Sequence, residues 1–117
     1  METKRQQRIQ KLLLRDLGEI FQRELGHVTR HAMVTVTKVY VTPDLSLARI
    51  YLSLFAVKNK AALMQDIERH HKEIRKKLGD RIRHQLRIVP ELQFFEDDSL
   101  DYIERIDDLL KNDHPEK

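Results

Sequence analysis

Several residue types are missing or scarce in this sequence. There is no cysteine and no tryptophan among its 117 residues, and aromatic residues make up only 6%, so few rings are available to stack on nucleic-acid bases. The lack of cysteine excludes disulfides, thiol nucleophiles and thiolate metal sites, and it fits a reducing cytoplasm. No apolar run approaches the roughly 20 residues of a membrane span, and the charged N-terminus is unlike a signal peptide. We therefore expect a cytoplasmic protein without membrane contact.

Charge, in contrast, is abundant and unevenly distributed. Lys and Arg total 22 against 19 acidic residues, a net charge of +3. Residues 1–90 hold 19 basic and 9 acidic side chains, whereas residues 91–117 hold 3 basic and 10 acidic ones. A basic body with an acidic end indicates an anionic partner, most simply nucleic acid, that contacts one part of the surface.

Residues 4–25 are predicted to form an amphipathic helix, because Ile9, Leu13 and Leu17 recur at helical spacing. Gly26 is predicted to end this helix, since glycine tolerates the left-handed conformation at helix C-termini. The opposite side carries four cations with no acidic residue in their stripe: Lys4, Arg8, Lys11 and Arg15. This stripe is either a solvated outer face or a ridge that contacts phosphates.

A period of two replaces the helical period over residues 33–42, which are rich in β-branched residues. The valines change face midway, which predicts either a bulge near Thr37 and Lys38 or burial on both faces. Residues 43–46 have turn chemistry, and residues 48–54 alternate as a second strand. The two strands are predicted to form an antiparallel hairpin.

Helical spacing returns over residues 60–83, where Gly79 weakens the long helix and predicts a bend or join. Residues 86–96 resume strand character, and Pro90 within them indicates an edge strand or a bulge. A short acidic helix is predicted over residues 100–110, which Asp98 or Ser99 can cap.

The order of these segments predicts an α+β domain, with a three-stranded sheet and the helices packed on one face. The length fits one domain. We expect it to cover residues 1–112, with residues 113–117 as a frayed tail.

The histidines are candidates for two kinds of chemistry. His27 and His31 have the i, i+4 spacing of zinc ligands on a helix, but the residues between them disfavour a continuous helix and no third ligand is evident. We therefore predict no metal site. His70 and His71 could form the acid–base pair of a ribonuclease. Alternatively, one packs against the apolar stripe of its helix and the other contacts solvent or phosphate.

The segment between residues 69 and 87 holds eight cations, opposed only by Glu73 and Asp80. Lys and Arg bind nucleic acid mainly through its phosphates. Our preferred phosphate-binding residues are Arg69, Lys72, Arg75, Lys76, Lys77, Arg81, Arg83 and Arg87. In the alternative, Arg75 and Arg81 pair with the two acids and the other cations are merely solvated. Three isolated cations are weaker candidates: Arg30, Lys38 and Arg49.

Several segments resemble the ribosome-binding factor A family, in the family's order. They read VTVTKVYVTPDLS (34–46), ARIYLS (48–53), IRKKLGDR (74–81), RIVPELQFF (87–95) and, after Asp98 and Ser99, IERIDDLL (103–110). The resemblance runs from about Arg5 to Leu110. It implies a type II K-homology fold, in which a helix and two strands precede a kinked helix and a third strand.

The resemblance also implies a function. Members of this bacterial family bind the free 30S subunit near its neck and decoding region, assist late maturation and processing of 16S rRNA, and leave before translation begins. They have no known catalytic activity, so we expect a non-catalytic monomer that needs no cofactor, with the cations above contacting rRNA. The remaining alternatives are a small ribonuclease, and an RNA-binding or protein–protein adaptor domain unrelated to ribosome assembly.

The sequence departs from the family at the kink. Ordinary K-homology domains have a Gly-x-x-Gly loop, and this family usually has Ala-x-Gly, whereas this chain has His70, His71 and Lys72. Because the small residues are missing, the sequence leaves open whether the helix bends there, bends elsewhere or stays straight.

Overall fold

Seven helices and strands are found in residues 1–99, the part of the chain that the computed structural model describes. They are α1 (Lys4–Arg23), α2 (Gly26–Thr29), β1 (Met33–Val41), β2 (Leu47–Phe55), α3 (Lys60–Arg69), α4 (His71–Ile82) and β3 (Glu91–Glu96). The predicted acidic helix over residues 100–110 and the predicted tail over 113–117 lie outside the described residues. None of the helices within residues 1–99 is both long enough and apolar enough to cross a membrane.

Strand β2 lies at the centre of the sheet, antiparallel to β1 and parallel to β3. A parallel neighbour requires a crossover connection, and α3 and α4 provide it. The helices bury their apolar sides against one face of the sheet, around a core that includes Leu17, Ile50 and Ile74. The predicted α+β order and the helix–strand–strand–kinked helix–strand arrangement are therefore confirmed.

A bulge interrupts the pairing of β1 with β2. The register shifts between Val36 and Lys38, which leaves Thr37 as the extra residue. Val36 and Val39 lie on either side of it, and both are buried in the single core. The predicted bulge is thus confirmed. The alternative, burial on both faces, is wrong, because the extra residue returns the later valines to the helix-covered face.

Helix α1 is attached to the end of β1 by two glutamines. Thr3 and Gln6 form a capping box at the start of the helix. The buried Gln6 amide also donates to the carbonyl of Val41 at 2.9 Å, and the side-chain oxygen of Gln10 accepts from the Val41 N–H at 2.9 Å. Together they satisfy both backbone groups of one strand residue. The first turns of α1 are therefore held beside the β1–β2 turn.

The prediction that Gly26 ends the first helix in a left-handed conformation is wrong. Helix α1 ends at Arg23, and Gly26 begins the short helix α2. The left-handed residues between α2 and β1 are Arg30 and His31, with φ of 55° and 62°. A side chain at position 26 would place its Cβ 2.9 Å from Cε1 of His31. The ring belongs to an exposed side chain that can rotate away, so neither this contact nor a positive φ requires glycine at position 26.

The long helix is broken at His70, and the prediction of a bend at Gly79 is wrong. His70 leaves the helical region, with φ −99° and ψ 20°, between α3 and α4. Its ring Nδ1 lies 2.8 Å from the carbonyl of Asp66, which supports the turn from the side. Gly79 lies inside α4, where a Cβ would approach Val89 to 3.3 Å. The family's kink is thus present without the family's small residues.

The third strand begins at Glu91, so the prediction of a strand from residue 86 is wrong. The backbone N–H groups of Gln85 and Leu86 donate to the carbonyl of Ile82 at 2.8 and 2.9 Å, which prolongs the helix end into a turn. Residues 83–90 form a loop, here called the α4–β3 loop. Because Pro90 precedes β3 and β3 is an edge strand, the edge position that proline indicated is confirmed.

Candidate nucleic-acid interface

Arg81 is surrounded by three carboxylates at the C-terminal half of α1. Its guanidinium lies 2.7 Å from Glu19, 3.3 Å from Asp16 and 3.3 Å from Glu24. The hydrogen bond between Arg81 and Glu19 is the main cause that raises the pKa of Arg81 and lowers the pKa of Glu19. The charge of Arg81 is therefore compensated inside the protein, where it joins α4 to α1.

Arg75 supports the α4–β3 loop. Its Nε donates to the carbonyl of Pro90 at 3.1 Å, and a terminal nitrogen donates to the carbonyl of Val89 at 2.6 Å. A guanidinium can bind two carbonyls at once because its donors form a rigid planar fork. The half-buried side chain thus fixes the loop against α4.

Lys77 is the third cation of this segment that is turned toward the protein. Its Nζ lies 3.8 Å from Glu24 and 3.9 Å from Glu73, and 29% of its side chain is exposed. The alternative in which Glu73 and Asp80 neutralise Arg75 and Arg81 named the wrong partners. Arg75 binds backbone carbonyls, and the acids around Arg81 come from outside α4, beyond the reach of local sequence spacing.

The exposed α4 face, defined by Lys72, Lys76 and Arg83, points into solvent. Lys72 and Arg83 have no ion pair within residues 1–99. Lys76 lies 3.3 Å from Asp80, but the two side chains are 78% and 65% exposed, so this pair contributes little. Spacings of four and seven residues place the three cations on one side of the helix. Among the described residues, then, no strong partner occupies this face, and its cations are exposed to an external anion.

Two preferred cations flank this face. Arg69 is exposed at the end of α3 and lies 3.2 Å from Asp66. Arg87 is exposed on the α4–β3 loop and has no ion pair with any described residue. Of the eight preferred cations, five are therefore exposed to solvent and three are engaged within the fold.

The four cations of the α1 stripe are exposed to solvent. Both a solvated outer face and a ridge that contacts phosphates require this exposure. Lys4, Arg8 and Lys11 have no ion pair within the described part of the chain, and Arg15 lies 3.5 Å from Asp16. Sequence reasoning missed Arg5, which is exposed and lines a groove together with Arg8 and the α4–β3 loop. The signal was weak, because Arg5 lies outside the i, i+4 stripe. The start of α1 thus lies beside the α4–β3 loop.

Each of the three weaker candidates has a partner within the fold. Lys38 lies over the ring of Tyr51, 5.8 Å from its centroid, and Arg49 lies 5.7 Å from the ring of a neighbouring tyrosine. Both occupy the sheet face that the helices leave open. Arg30 lies 3.6 Å from Asp66. Cross-strand neighbours, which the sequence alone does not pair, supply the partners of Lys38 and Arg49.

The histidines at the helix break pack into the fold. The ring of His70 contacts a backbone carbonyl of α3, as described above. Nε2 of His71 lies 3.1 Å from the carbonyl of Leu92, and its ring meets Phe94 edge-on at 6.1 Å. Both side chains are half-buried and serve the junction of α3, α4 and β3.

The other histidine pair does not form a helical i, i+4 site. His27 lies on α2, whereas His31 follows it in the left-handed conformation. Nε2 of His27 instead lies 2.7 Å from a carboxylate oxygen of Glu73. Within residues 1–99, no group of three histidine or carboxylate residues is arranged to hold a metal ion.

Comparison with protein families gives one match along most of the chain. The family model for ribosome-binding factor A matches residues 5–110. Ribosome-binding factor A of Cytophaga hutchinsonii is 42% identical over 110 residues, which covers 94% of this chain and 83% of that protein. The protein of the same name from Flavobacterium johnsoniae is 43% identical over 111 residues, with 94% and 85% covered.

Solved structures with the same fold carry the same name. The crystal structure of ribosome-binding factor A from Thermus thermophilus superposes with a TM-score of 0.65 at 21% identity, covering 78% of this chain and 94% of that one. A homology model of the Thermus thermophilus protein, fitted into a cryo-EM map of a 30S complex, gives 0.61 at 23% identity, with 76% and 91% covered. These likenesses show the K-homology-like fold. With the family match and the relatives above 40% identity, they lead to one conclusion: the chain belongs to the ribosome-binding factor A family.

Proposed function

We propose that this protein binds the free 30S ribosomal subunit and assists late maturation and processing of 16S rRNA. The observation that carries the proposal is the family match over residues 5–110. Further support comes from the Thermus thermophilus relative, which was fitted into the map of a 30S complex. The excess of exposed cations in residues 1–90 agrees with an rRNA partner.

The exposed α4 face, together with Arg69 and Arg87, provides the principal rRNA contacts of this proposal. Its cations are exposed and lack strong partners, so they can neutralise phosphates at little cost. Arg75, Lys77 and Arg81 contact carbonyls or carboxylates of this protein. They therefore support the shape of the surface and do not bind phosphates themselves. The α1 stripe is a secondary contact.

In the proposed mechanism, the protein holds the neck and decoding region in one conformation until maturation is complete. It does so through contacts that a joined ribosome cannot accommodate, which explains release before translation. The protein acts in the cytoplasm as a monomer and uses no cofactor, metal ion or small-molecule substrate.

The proposed action is not catalytic. Acid–base catalysis by His70 or His71 would require ring nitrogens that reach an RNA ribose or phosphate. One ring nitrogen of each lies instead at a backbone carbonyl, and both rings are half-buried. Incubation with precursor 16S rRNA tests the point: we expect no cleavage, whereas cleavage abolished by His70→Ala or His71→Ala would favour the ribonuclease alternative.

Sedimentation of a cell lysate tests the function. We expect the protein to co-migrate with free 30S subunits and to be absent from joined ribosomes. A profile confined to the top of the gradient would contradict the proposal. Binding to 30S that is insensitive to salt would instead favour the adaptor alternative, because phosphate contacts weaken steeply as salt rises.

Charge reversal tests the interface. Lys76→Glu with Arg83→Glu should weaken 30S binding by roughly a hundredfold while the circular dichroism spectrum is retained. The matched control is Arg23→Glu with Lys58→Glu, which changes the charge equally at exposed positions elsewhere. Equal losses in both variants would mean that net charge alone matters, and unchanged binding in the first would remove α4 from the interface.

A further inference from the structure

Two grooves meet where the start of α1 approaches the α4–β3 loop. The first, of about 370 Å³, lies between Arg5 and Arg8 of α1 and Gln85 and Leu86 of the loop. The second, of about 410 Å³, lies between Arg5, the β1–β2 turn and the rest of the loop. Because Arg5 and Leu86 line both grooves, the two form one surface, here called the Arg5–Leu86 channel. Each groove falls within the range of about 300–1,000 Å³ typical of ligand sites.

The lining of this channel divides into an apolar floor and a cationic rim. Leu12, Leu45 and Leu86 are half-buried and provide apolar surface along the floor. Ile88 stands at the second groove with 74% of its surface exposed. Ile88 therefore extends the apolar surface of the floor at the second groove.

The rim carries Arg5, Arg8 and Arg87, which are all exposed and have no ion pair within residues 1–99. One carboxylate also lines the second groove, that of Asp44. Its Oδ1 accepts hydrogen bonds from the backbone and hydroxyl of Ser46 at 3.1 and 2.8 Å, and from the Thr42 hydroxyl at 2.7 Å. That carboxylate is hydrogen-bonded within its own turn, so the three arginines have no ion-pair partner among residues 1–99.

Both walls of the channel are held in place. On one side, Gln6 and Gln10 attach α1 to Val41, immediately before the β1–β2 turn. On the other side, Arg75 binds the carbonyls of residues 89 and 90. The channel therefore exists before any partner binds, which lowers the ordering cost of binding.

We propose that the Arg5–Leu86 channel binds a short stretch of unpaired RNA. Bases lie against the apolar floor and Ile88, and the phosphates lie against the arginines of the rim. A duplex keeps its base faces stacked and offers phosphates, 2′-hydroxyls and base edges, which are all polar, so it would leave the apolar floor unused. The inference rests on the proposed rRNA partner, but it assigns single-stranded nucleotides to a surface separate from the exposed α4 face.

Charge removal at the rim is the first test. Binding of the full chain to a single-stranded uridine decamer is compared with binding to an RNA hairpin by fluorescence anisotropy. Arg5→Gln with Arg87→Gln should lower the slope of log K against log salt by about 1.4 for the decamer, at about 0.7 per phosphate. The control pair Arg23→Gln with Lys58→Gln should leave that slope unchanged.

Substitution of Ile88 is the second test, because its exposure allows either variant to fold. Ile88→Ser should weaken decamer binding by about threefold and leave hairpin binding unchanged. Ile88→Trp adds a ring for stacking and should tighten decamer binding by about fivefold. The chain has no other tryptophan, so quenching of its emission by the decamer reports contact directly.

Each other outcome overturns the channel assignment. If substitution of Ile88 does not change the affinity for the decamer, or changes the affinity for the hairpin by the same factor, the surface is only a patch of positive charge and not a site for unpaired bases. A wild-type chain that binds 30S but not the decamer, with 30S binding lost in Ile88→Ser, would assign the channel to an apolar protein segment. Failure of the wild-type chain to bind 30S would instead contradict the proposed function, so the two failures are distinct.

Discussion

The two sides of α4 carry three cations each and differ in what surrounds them. On one side, Arg75, Lys77 and Arg81 reach backbone carbonyls and carboxylates of the same chain. On the other, the exposed α4 face meets solvent, and its one ion pair among the described residues is the weak one of Lys76 with Asp80. Lysine and arginine on one helix therefore have two roles: some bind groups within the protein, and others stay exposed to solvent. A count of positive charge cannot distinguish the two.

The difference has an energetic meaning. The three cations with partners inside the protein join α4 to α1 and to the α4–β3 loop, so they stabilise the folded state. Like charges at i, i+4 on a helix, such as Lys72 and Lys76, repel each other by a few tenths of a kcal/mol. A polyanion that binds the exposed α4 face relieves this repulsion between Lys72 and Lys76.

The largest effect is expected from neutralising the exposed α4 face. Lys72→Gln, Lys76→Gln and Arg83→Gln together should lower the slope of log K against log salt for 30S binding by about 2 to 3, and the affinity by about a hundredfold at 0.15 M salt. The free energy of unfolding should change by no more than about 0.5 kcal/mol, because the three side chains are solvated. A salt titration monitored by sedimentation measures the slope; an unchanged slope would contradict the functional contrast between the two sides.

Removal of Arg81 should act on stability and not on binding. Arg81→Met takes from the buried carboxylate of Asp16 its partner on α4 and leaves only the exposed Arg15 at 3.5 Å, which should cost about 2 kcal/mol of unfolding free energy. The Tm should fall by roughly 10 °C, while 30S affinity below the transition stays within about twofold of wild type. Lys72→Met is the matched control and should leave the Tm unchanged. An Arg81→Met protein that keeps its stability but no longer binds 30S would show that Arg81 acts in binding and not in stability.

A smaller loss of stability is expected at Arg75. Arg75→Met removes the two bonds to the carbonyls of Val89 and Pro90, which should cost about 1 kcal/mol. Amide hydrogen exchange should become faster in the α4–β3 loop than in β2. Arg75→Lys keeps the charge but not the planar fork, so it should restore little of the protection. Full protection in both variants would show that the loop is held by apolar packing alone.

The smallest effect concerns pH. The hydrogen bond from Arg81 holds the pKa of Glu19 below its ordinary value of 4.5. Because the folded pKa is lowered, the bond stabilises the protein at neutral pH, and this contribution is lost as the pH falls from 4.5 through the lowered pKa. Acid unfolding of Glu19→Gln should therefore be less steep than that of wild type over this range. Identical acid profiles would mean that the bond does not persist in solution.

Local patterns were sufficient for most of the fold. The amphipathic period of α1 and the alternation of β2 follow from which side chains must leave water. The change of face among the valines of β1 predicted either a bulge near Thr37 and Lys38 or burial on both faces, because one extra residue reverses the side of every later valine. These features depend on neighbours within a few residues, which the sequence displays.

Other features depend on distant partners, and there the predictions from sequence were wrong. The helix was expected to bend at Gly79 on propensity alone, yet that glycine makes room for Val89 while the break is at His70. Likewise, in the alternative to phosphate binding, Arg81 was expected to pair with Glu73 or Asp80 on its own helix. Its partners lie on and just after α1, 57 to 65 residues away.

The sequence by itself determined the α+β order, the sheet's hairpin, the excess of cations and the resemblance to one family. Tertiary structure alone decided which cations remain available for a partner and brought Arg5 beside the α4–β3 loop. The reason is physical. Helical and strand periods are set by each segment's contact with a core, whereas the partner of a charge is set by how the segments pack together.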